Sequence, residues 1–530
     1  MALSLFSGHR KVFSNGLIDA PQEEREFVAV YETGEIYFAS GKKFSEQVRT
    51  AQTYVRKTLG KTPVMTEVNG PDVMAHYERV AHEGAGDKSE SHERLADRIL
   101  RDAANSKAAD IKIIRTPERT VVRFIIAGQE ITYGVSITST EGNALISYIF
   151  DSRDEGAGHS TKQMGEFQGF SVSSSKSVGL NLPPNVLKLR CQKGFHETSM
   201  DIMDHLAIRV FYRESDEMAS LEALGLDPYS LAALQRARDG MKGAVMIGGE
   251  TGDGKSTTII SAIKRQYAEH EGNISIVTVE DPVEYKLTEP GIVQIPIQSS
   301  GDAQKRTQNY RAALMHFVRI NPHVGVVSEV RDAEAARQVL QFIETGHQVW
   351  TTIHINSVNS IPFRLIDMGI EPTELSKPDS LKLMMKQTLV PLLCRCAIEG
   401  EDGFFHRNIE GCSICRSKVK GTEAVKAWSG FSRLVALAEQ IEPDDTYLSL
   451  IRGNDAIGAK NYWEKPCEDG GMGGTTLKQK LRYMANMGAI DPKNAIKKGA
   501  PVPERRDPDL VMDPVYNDWI KDLMDARKTE

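Results

Sequence analysis

The sequence predicts an α/β protein organised round a parallel sheet that presents phosphate-binding and acidic groups at the carboxyl ends of its strands, and three observations predict it. First, an apolar segment at residues 243–248 runs into Gly249-Glu250-Thr251-Gly252-Asp253-Gly254-Lys255-Ser256, and residues 257–267, beginning at Thr257, read as a helix. This stretch fits the phosphate-loop pattern G-x-x-x-x-G-K-[ST] at every specified position and in the required strand, turn, helix context. Its glycines let the backbone wrap phosphate oxygens, the helix start aims unpaired N–H groups at them, and Lys255 adds a full charge. Ser256 is placed to hold Mg²⁺. Second, three later apolar segments, 274–279, 324–327 and 348–353, end in Glu280-Asp281-Pro282-Val283-Glu284, Ser328-Glu329 and His354. Ligands of open parallel sheets sit at such strand ends. Third, 530 residues exceed what one hydrophobic core supports and suggest about three or four units.

Composition narrows the function classes. A net charge of −7 and a pI near 6.1 lack the basic footprint of a nucleic-acid binder, so nucleic acid is not expected as a partner. The chain has no long apolar run, and Met1-Ala2-Leu3-Ser4-Leu5-Phe6 is broken at once by Ser7-Gly8-His9-Arg10, which predicts a cytoplasmic location. Of six cysteines, four crowd between Cys394 and Cys415, a pattern that favours metal over a disulfide framework.

In chain order, residues 1–82 read as an N-terminal α/β module: a hairpin round Glu32-Thr33-Gly34-Glu35, a helix at 44–59, an extended segment at 63–68 and a second helix at 73–82. Residues 83–91 carry no apolar side chain larger than alanine and read as a linker. A second α+β domain follows at 92–216. It starts with a helix at 92–105 bearing Leu95, Ile99, Leu100 and Ala103 on one stripe, and continues with strands at 111–114, 120–126, 131–137, 186–190 and 205–212 and a helix at 145–150, with Gly156-Ala157-Gly158 in a loop. The charged run at 213–217 leads to the nucleotide domain, 217–390. A cysteine element occupies 391–420 and a helical subdomain 421–500, with helices expected at 422–440 and 477–487; a proline-rich, charged, extended tail occupies 501–530.

These blocks in this order resemble the ATPases that power type II secretion, type IV pilus assembly and retraction, and type IV secretion. Glu280-Asp281-Pro282-Val283-Glu284 looks like the family's aspartate box, Ser328-Glu329-Val330-Arg331-Asp332 like its Walker B block, and Glu344-Thr345-Gly346-His347 to Thr352-Ile353-His354-Ile355-Asn356-Ser357 like its histidine box. Ala109-Asp110-Ile111-Lys112, Arg123, Gly128, Arg190 and Arg209 look like the family's domain preceding the motor core, which supplies arginines to a nucleotide. The resemblance covers about residues 92–500 and implies a RecA-like P-loop motor domain preceded by a smaller, PAS-like α+β domain. It further implies ATP and Mg²⁺ as ligands, a homohexameric ring and an inner-membrane platform protein as partner. Location would be cytoplasmic, at the inner membrane. Two departures stand out: Ser328 where the Walker B block has glycine, and His323 where an aspartate is usual.

The resemblance also assigns roles. Phosphates lie on the 249–256 loop, Lys255 and Mg²⁺ neutralise developing charge, Glu329 prepares the attacking water, and Glu280 and Glu284 tune that water or the metal. Arg190 and Arg209 are expected to act from a neighbouring subunit, with His354 as nucleotide sensor; the plainer alternatives are sheet-surface ion pairs for the arginines and a satisfied core position for the histidine. Cys394, Cys396, Cys412 and Cys415 point to the assembly and secretion branch, whose members carry a four-cysteine Zn²⁺ element. The first pair here is separated by one residue where zinc sites commonly have two to four, so His406 and Cys467 stand as reserve ligands. The function expected is a motor for pilus assembly or type II-like secretion; a conjugation-type motor for nucleic-acid transfer and a slowly hydrolysing assembly scaffold are the alternatives.

Overall fold

A computed structural model of the chain describes residues 17–18, 26–69, 73, 91–126, 128–154, 168–173, 179–198, 202–212, 220–281, 283–297, 303–417, 428–510 and 513–529. The linker except Ser91, the helix at 73–82 except Val73, the Gly156-Ala157-Gly158 loop, the charged run at 213–217 and Pro282 lie outside the described residues. The chain divides into two compact units, Met1–Leu95 and Ala96–Glu530.

In the first unit β1 (Leu17–Ile18), β2 (Val28–Tyr31), β3 (Glu35–Ala39) and β4 (Val64–Val68) form one sheet in that order. The β2–β3 hairpin is antiparallel, closed by Gly34 at φ +98°, whose N–H donates to Tyr31 O at 3.0 Å. β4 returns parallel to β3, so the connection needs a crossover, and the helix Glu46–Lys57 supplies it. Val48, Ala51 and Val55, spaced on one face, bury against Ile18, Val28, Val30, Ile36 and Phe38.

The second unit holds two sheets. β5 (Asp110–Arg115), β6 (Thr120–Ile126), β7 (Gln129–Thr132), β8 (Gln168–Ser173), β9 (Val186–Glu197) and β10 (Ile202–Tyr212) form an antiparallel sheet of order β7-β6-β5-β10-β9-β8. The helices His92–Asn105 and Ser139–Asp151 accompany it, the latter started by a capping box between Thr138 and Glu141. The motor sheet comprises β11 (Gly243–Gly248), β12 (Ile276–Glu280), β13 (Ile292–Pro296), β14 (Val324–Val327), β15 (Gln348–Ile353), β16 (Leu381–Leu393) and β19 (Phe431–Ile441), in the order β13-β12-β14-β15-β11-β16-β19. All its pairings are parallel except β16 with β19. β11, β12, β14 and β15 are buried along their whole length, as a parallel sheet covered on both faces requires. A hairpin of β17 (Ile398–Glu399) and β18 (Phe405–His406) sits between β16 and β19.

Two expectations are corrected. The helix expected at 422–440 is, where described, mostly strand: β19 pairs antiparallel with β16, Leu437 opposite Thr388. Its apolar run suits either structure locally, and the tertiary partner decides. Ala436 and Ala438 bury on one face of the sheet while Val435 and Leu437 bury on the other, the period-two alternation of a covered strand. The extended tail is corrected from Pro514 onward. The helix Pro514–Thr529 docks Tyr516, Trp519, Ile520 and Leu523 against Leu481 and Met484 of the helix Leu477–Asn486. That spacing is one helical face, legible in the sequence but overshadowed by the prolines before it. A buried ion pair, Lys480 Nζ to Asp227 Oδ2 at 2.9 Å, joins the same helix to the start of the helix Pro228–Gly240.

Candidate active site and cysteine cluster

The phosphate loop follows β11. Gly249 has φ +146°, and a Cβ there would lie 2.5 Å from Gln387 O of β16, so only glycine lets the two backbones approach. Gly254, at φ +77°, starts the helix Lys255–Glu269 with no side-chain cap, which leaves the first N–H groups without a side-chain acceptor. Lys255 is 9% exposed; its ammonium donates to Gly249 O at 2.9 Å and Glu250 O at 2.8 Å, and burial pushes its pKa down. β16 clamps the loop from behind: Gln387 Nε2 donates to Asp253 O at 2.7 Å and Thr258 Oγ1 donates to Gln387 Oε1 at 2.8 Å.

A cavity of about 540 Å³ opens in front of the loop, and every catalytic residue expected from the sequence lines it: Lys255, Glu280, Glu284, Glu329, His354, Arg190 and Arg209. Thr251, Gly252, Gly254, Ser256 and Thr257 line it as well, whereas Gly249, Glu250 and Asp253 form the loop's back. Glu280, at the end of β12, accepts from Thr278 Oγ1 at 2.6 Å and Gln294 Nε2 at 2.9 Å; burial lifts its pKa above the usual carboxylate range, and these two hydrogen bonds oppose that shift. Glu329, past β14, accepts from Arg331 Nε at 2.7 Å and has His354 Nε2 at 3.3 Å. His354 is half exposed, so the satisfied core position is excluded for it.

The arginines come from the antiparallel sheet. Arg209 on β10 and Arg190 on β9 are directly opposite one another in register. Arg209 donates to Asp110 from Nε at 2.8 Å and from a guanidinium nitrogen at 3.3 Å, a fork that fixes its plane. Both line the cavity of their own chain, and the Arg209 charge reaches Lys255. Within one chain the two sheets bring both arginines to the phosphate loop.

Sequence reasoning gave no role to three groups here. Arg331 bridges Glu329 and Asp281, the latter at 3.3 Å. Tyr285 shares a hydrogen bond with Thr257 Oγ1 at 2.7 Å, and Tyr310 donates to Glu329 O at 2.8 Å. Arg331 and Tyr285 each lie within two residues of an acidic site residue, the one signal available. Ser328, the departure from glycine, lines the cavity and has a buried Oγ with no hydrogen-bond partner. His323 accepts from Ser275 N at 3.0 Å and holds a strand start rather than the cavity.

The second site follows β16. The sulfurs of Cys394, Cys396, Cys412 and Cys415 all lie within 4.8 Å of one another, with Cys394 to Cys412 at 3.6 Å and Cys396 to Cys415 at 3.9 Å. A tetrahedron with Zn–S of about 2.3 Å has edges of about 3.8 Å, so the four sulfurs fit such an ion. The short first pair does not prevent it, because the residues after β16 turn back, Ala397 N donating to Cys394 O at 2.9 Å. Neither reserve ligand joins: His406 Nε2 is held by Asp402 at 2.9 Å, and Cys467 is exposed elsewhere. The N–H groups of Cys412 and Gly430 both donate to Cys415 Sγ, at 3.1 and 3.2 Å, and so fix the position of that sulfur in the cluster.

Fold and cavity together define a phosphate-loop α/β protein with a second domain facing the loop. The family described as Type II/IV secretion system protein matches residues 85–433, about two thirds of the chain, and this chain belongs to it. It is 37% identical over 247 residues to the Type II secretion system protein HxcR of Pseudomonas aeruginosa, covering 46% of this chain and 47% of that protein. Against the Type IV pilus assembly ATPase PilB of Myxococcus xanthus it is 34% identical over 181 residues, 34% of this chain and 30% of PilB. The match thus spans less than half the length of either relative. The X-ray structure of the Legionella pneumophila ATPase DotB superposes with a TM-score of 0.54 at 19% identity, covering 78% of this chain and 96% of DotB, a likeness of fold.

Proposed function

We propose that this chain is an ATP-hydrolysing motor of a pilus-assembly or type II-like secretion system, working as a homohexamer on an inner-membrane platform protein. One observation carries the reading: phosphate loop, three acidic strand-end residues and two arginines surround a single cavity. The triphosphate lies on the loop with Lys255 turned from its own carbonyls to the terminal phosphates. Ser256 would hold Mg²⁺, and Glu280, Glu284 and Glu329 line the same cavity. When bound, that ion supplies electrostatic neutralisation of the transferring phosphoryl group. Glu329 orients the attacking water, and Arg190 and Arg209 stabilise the charge that develops opposite Lys255. Because the arginines and the loop stand on different sheets, a nucleotide between them is a handle by which hydrolysis moves one sheet against the other.

The four-cysteine cluster supports the assembly and secretion branch, and Zn²⁺ there would be structural, with no ligand position left open. Among the described residues no helix is long and apolar enough to cross a membrane. A second reading, a slowly hydrolysing scaffold, rests on Arg331 occupying the Glu329 carboxylate at 2.7 Å. Steady-state phosphate release decides between them. The parent chain should turn over ATP with Mg²⁺, and Lys255→Ala should lose at least about a thousandfold; tight ATP binding without turnover in the parent would favour the scaffold.

A further inference from the structure

The phosphate loop contains an acid that the chemistry just described does not use. Asp253 is 5% exposed and sits one residue before Gly254. Its Oδ2 accepts from Glu250 N at 2.8 Å, and its Oδ1 accepts from Thr388 Oγ1 at 3.1 Å and Leu389 N at 3.3 Å. These donors are neutral. They satisfy the carboxylate oxygens but leave a negative charge inside a loop whose function is to receive phosphates, and that charge acts on Lys255. Among the described residues the carboxylate also has a cation in contact: Lys498 Nζ, 3.3 Å from Asp253 Oδ1.

Lys498 comes from 245 residues further along the chain, at the C-cap of the helix Pro492–Lys497. The far end of that helix is fixed as well. Asp491 caps it by accepting from Lys493 N at 2.8 Å, and its other oxygen accepts from Arg407 N at 2.7 Å. Leu393 N, at the end of β16, donates to Ala489 O at 2.8 Å. The lysine is thus presented to the loop by a short, doubly anchored element and is only 29% exposed, so the contact is less screened than an ordinary surface pair.

We propose that Lys498 is a positioning residue for the nucleotide: it offsets the Asp253 carboxylate and so lets the phosphate loop accept a polyphosphate. The inference rests on the nucleotide-binding reading above. Without Lys498 the loop keeps its shape through Gln387, Thr388 and Leu389 but carries an uncompensated charge beside the phosphates, and ATP affinity falls by about tenfold. Turnover at saturating ATP changes far less, because Lys498 touches neither the water nor the transferring group.

The test is titration of the full-length chain with Mg²⁺ and a non-hydrolysable ATP analogue. Lys498→Met should bind about tenfold more weakly, the deficit shrinking as salt is raised, while Lys498→Arg stays within about twofold of the parent. Asp253→Asn in the Lys498→Met background should restore binding, since the charge to be offset is gone. Lys498→Gln, which also removes the charge but keeps a polar side chain at the helix end, should show the same deficit and serves if Lys498→Met melts too low to assay. Parent-like affinity in Lys498→Met, a deficit that persists undiminished in the double variant, or a deficit in Lys498→Arg as large as that in Lys498→Met would each overturn the inference while leaving nucleotide binding intact. A parent chain that binds no nucleotide would overturn the functional reading and this inference with it.

Discussion

The cavity at the phosphate loop and the four-cysteine cluster hang on the same strand, β16, yet they use it in opposite ways. At the loop, Gln387, Thr388 and Leu389 make their hydrogen bonds to the loop's back, and the cavity lined by Lys255, Glu329 and His354 lies in front of it. Past the strand's end, Cys394 and its partners turn their sulfurs toward one another and leave no open side. One site arranges charges of both signs round a volume that a ligand can fill; the other brings like groups together at a spacing that fits a tetrahedral cation.

The largest effect that tests this contrast is at the arginines. Arg209→Ala should lower turnover by about three to five decades, the range known for arginines that stabilise phosphoryl transfer. Because Arg209 and Lys255 share one chain's cavity, mixing Arg209→Ala with Glu329→Gln chains should restore nothing. Recovery of activity in verified mixed assemblies would show that the arginine works across subunits. A smaller effect is expected at the cysteines. Cys412→Ser should remove bound zinc, which elemental analysis of protein purified without chelator should put near one per chain in the parent, and should lower the melting temperature by several degrees, an energetic cost of about 2–4 kcal/mol. ATP affinity should change by less than about threefold. A zinc content well below one under reducing conditions would remove both the metal site and the preference for the assembly branch.

The smallest effect concerns Glu280. Burial raises its pKa, so between the usual carboxylate range and the raised value the folded chain binds more protons than the unfolded one. Stability from this group is therefore full on the acid side and is lost as pH rises through that window; at neutral pH the ionised group is a cost. Glu280→Gln should raise the melting temperature relative to the parent at about pH 8, with the advantage fading toward about pH 5. An advantage equal at both values would mean that the substitution acts through packing instead.

Sequence alone determined the parts of this protein whose cause is local. The phosphate loop needs glycine where φ is positive and a lysine at the helix start, so it is written as a contiguous string. The buried strands β11, β12, β14 and β15 are largely apolar because both faces are covered, and the phosphate loop after β11, the acidic ends of β12 and β14 and His354 after β15 follow directly from them. The hairpin at Gly34 and the helix His92–Asn105 are likewise short-range patterns, and the cysteines betray themselves by crowding. Only the tertiary structure decided what depends on a partner far along the chain. β19 is a strand because β16 offers it backbone groups to pair with, a fact absent from its own residues. Arg190 and Arg209 meet the loop of their own chain because two sheets face one another, which no spacing encodes. Asp253 reads as an unspecified position of a motif until Lys498 is found beside it. Long-range pairing carries no periodic signature, and for that reason the fold had to be seen before the charge balance of the loop was understood.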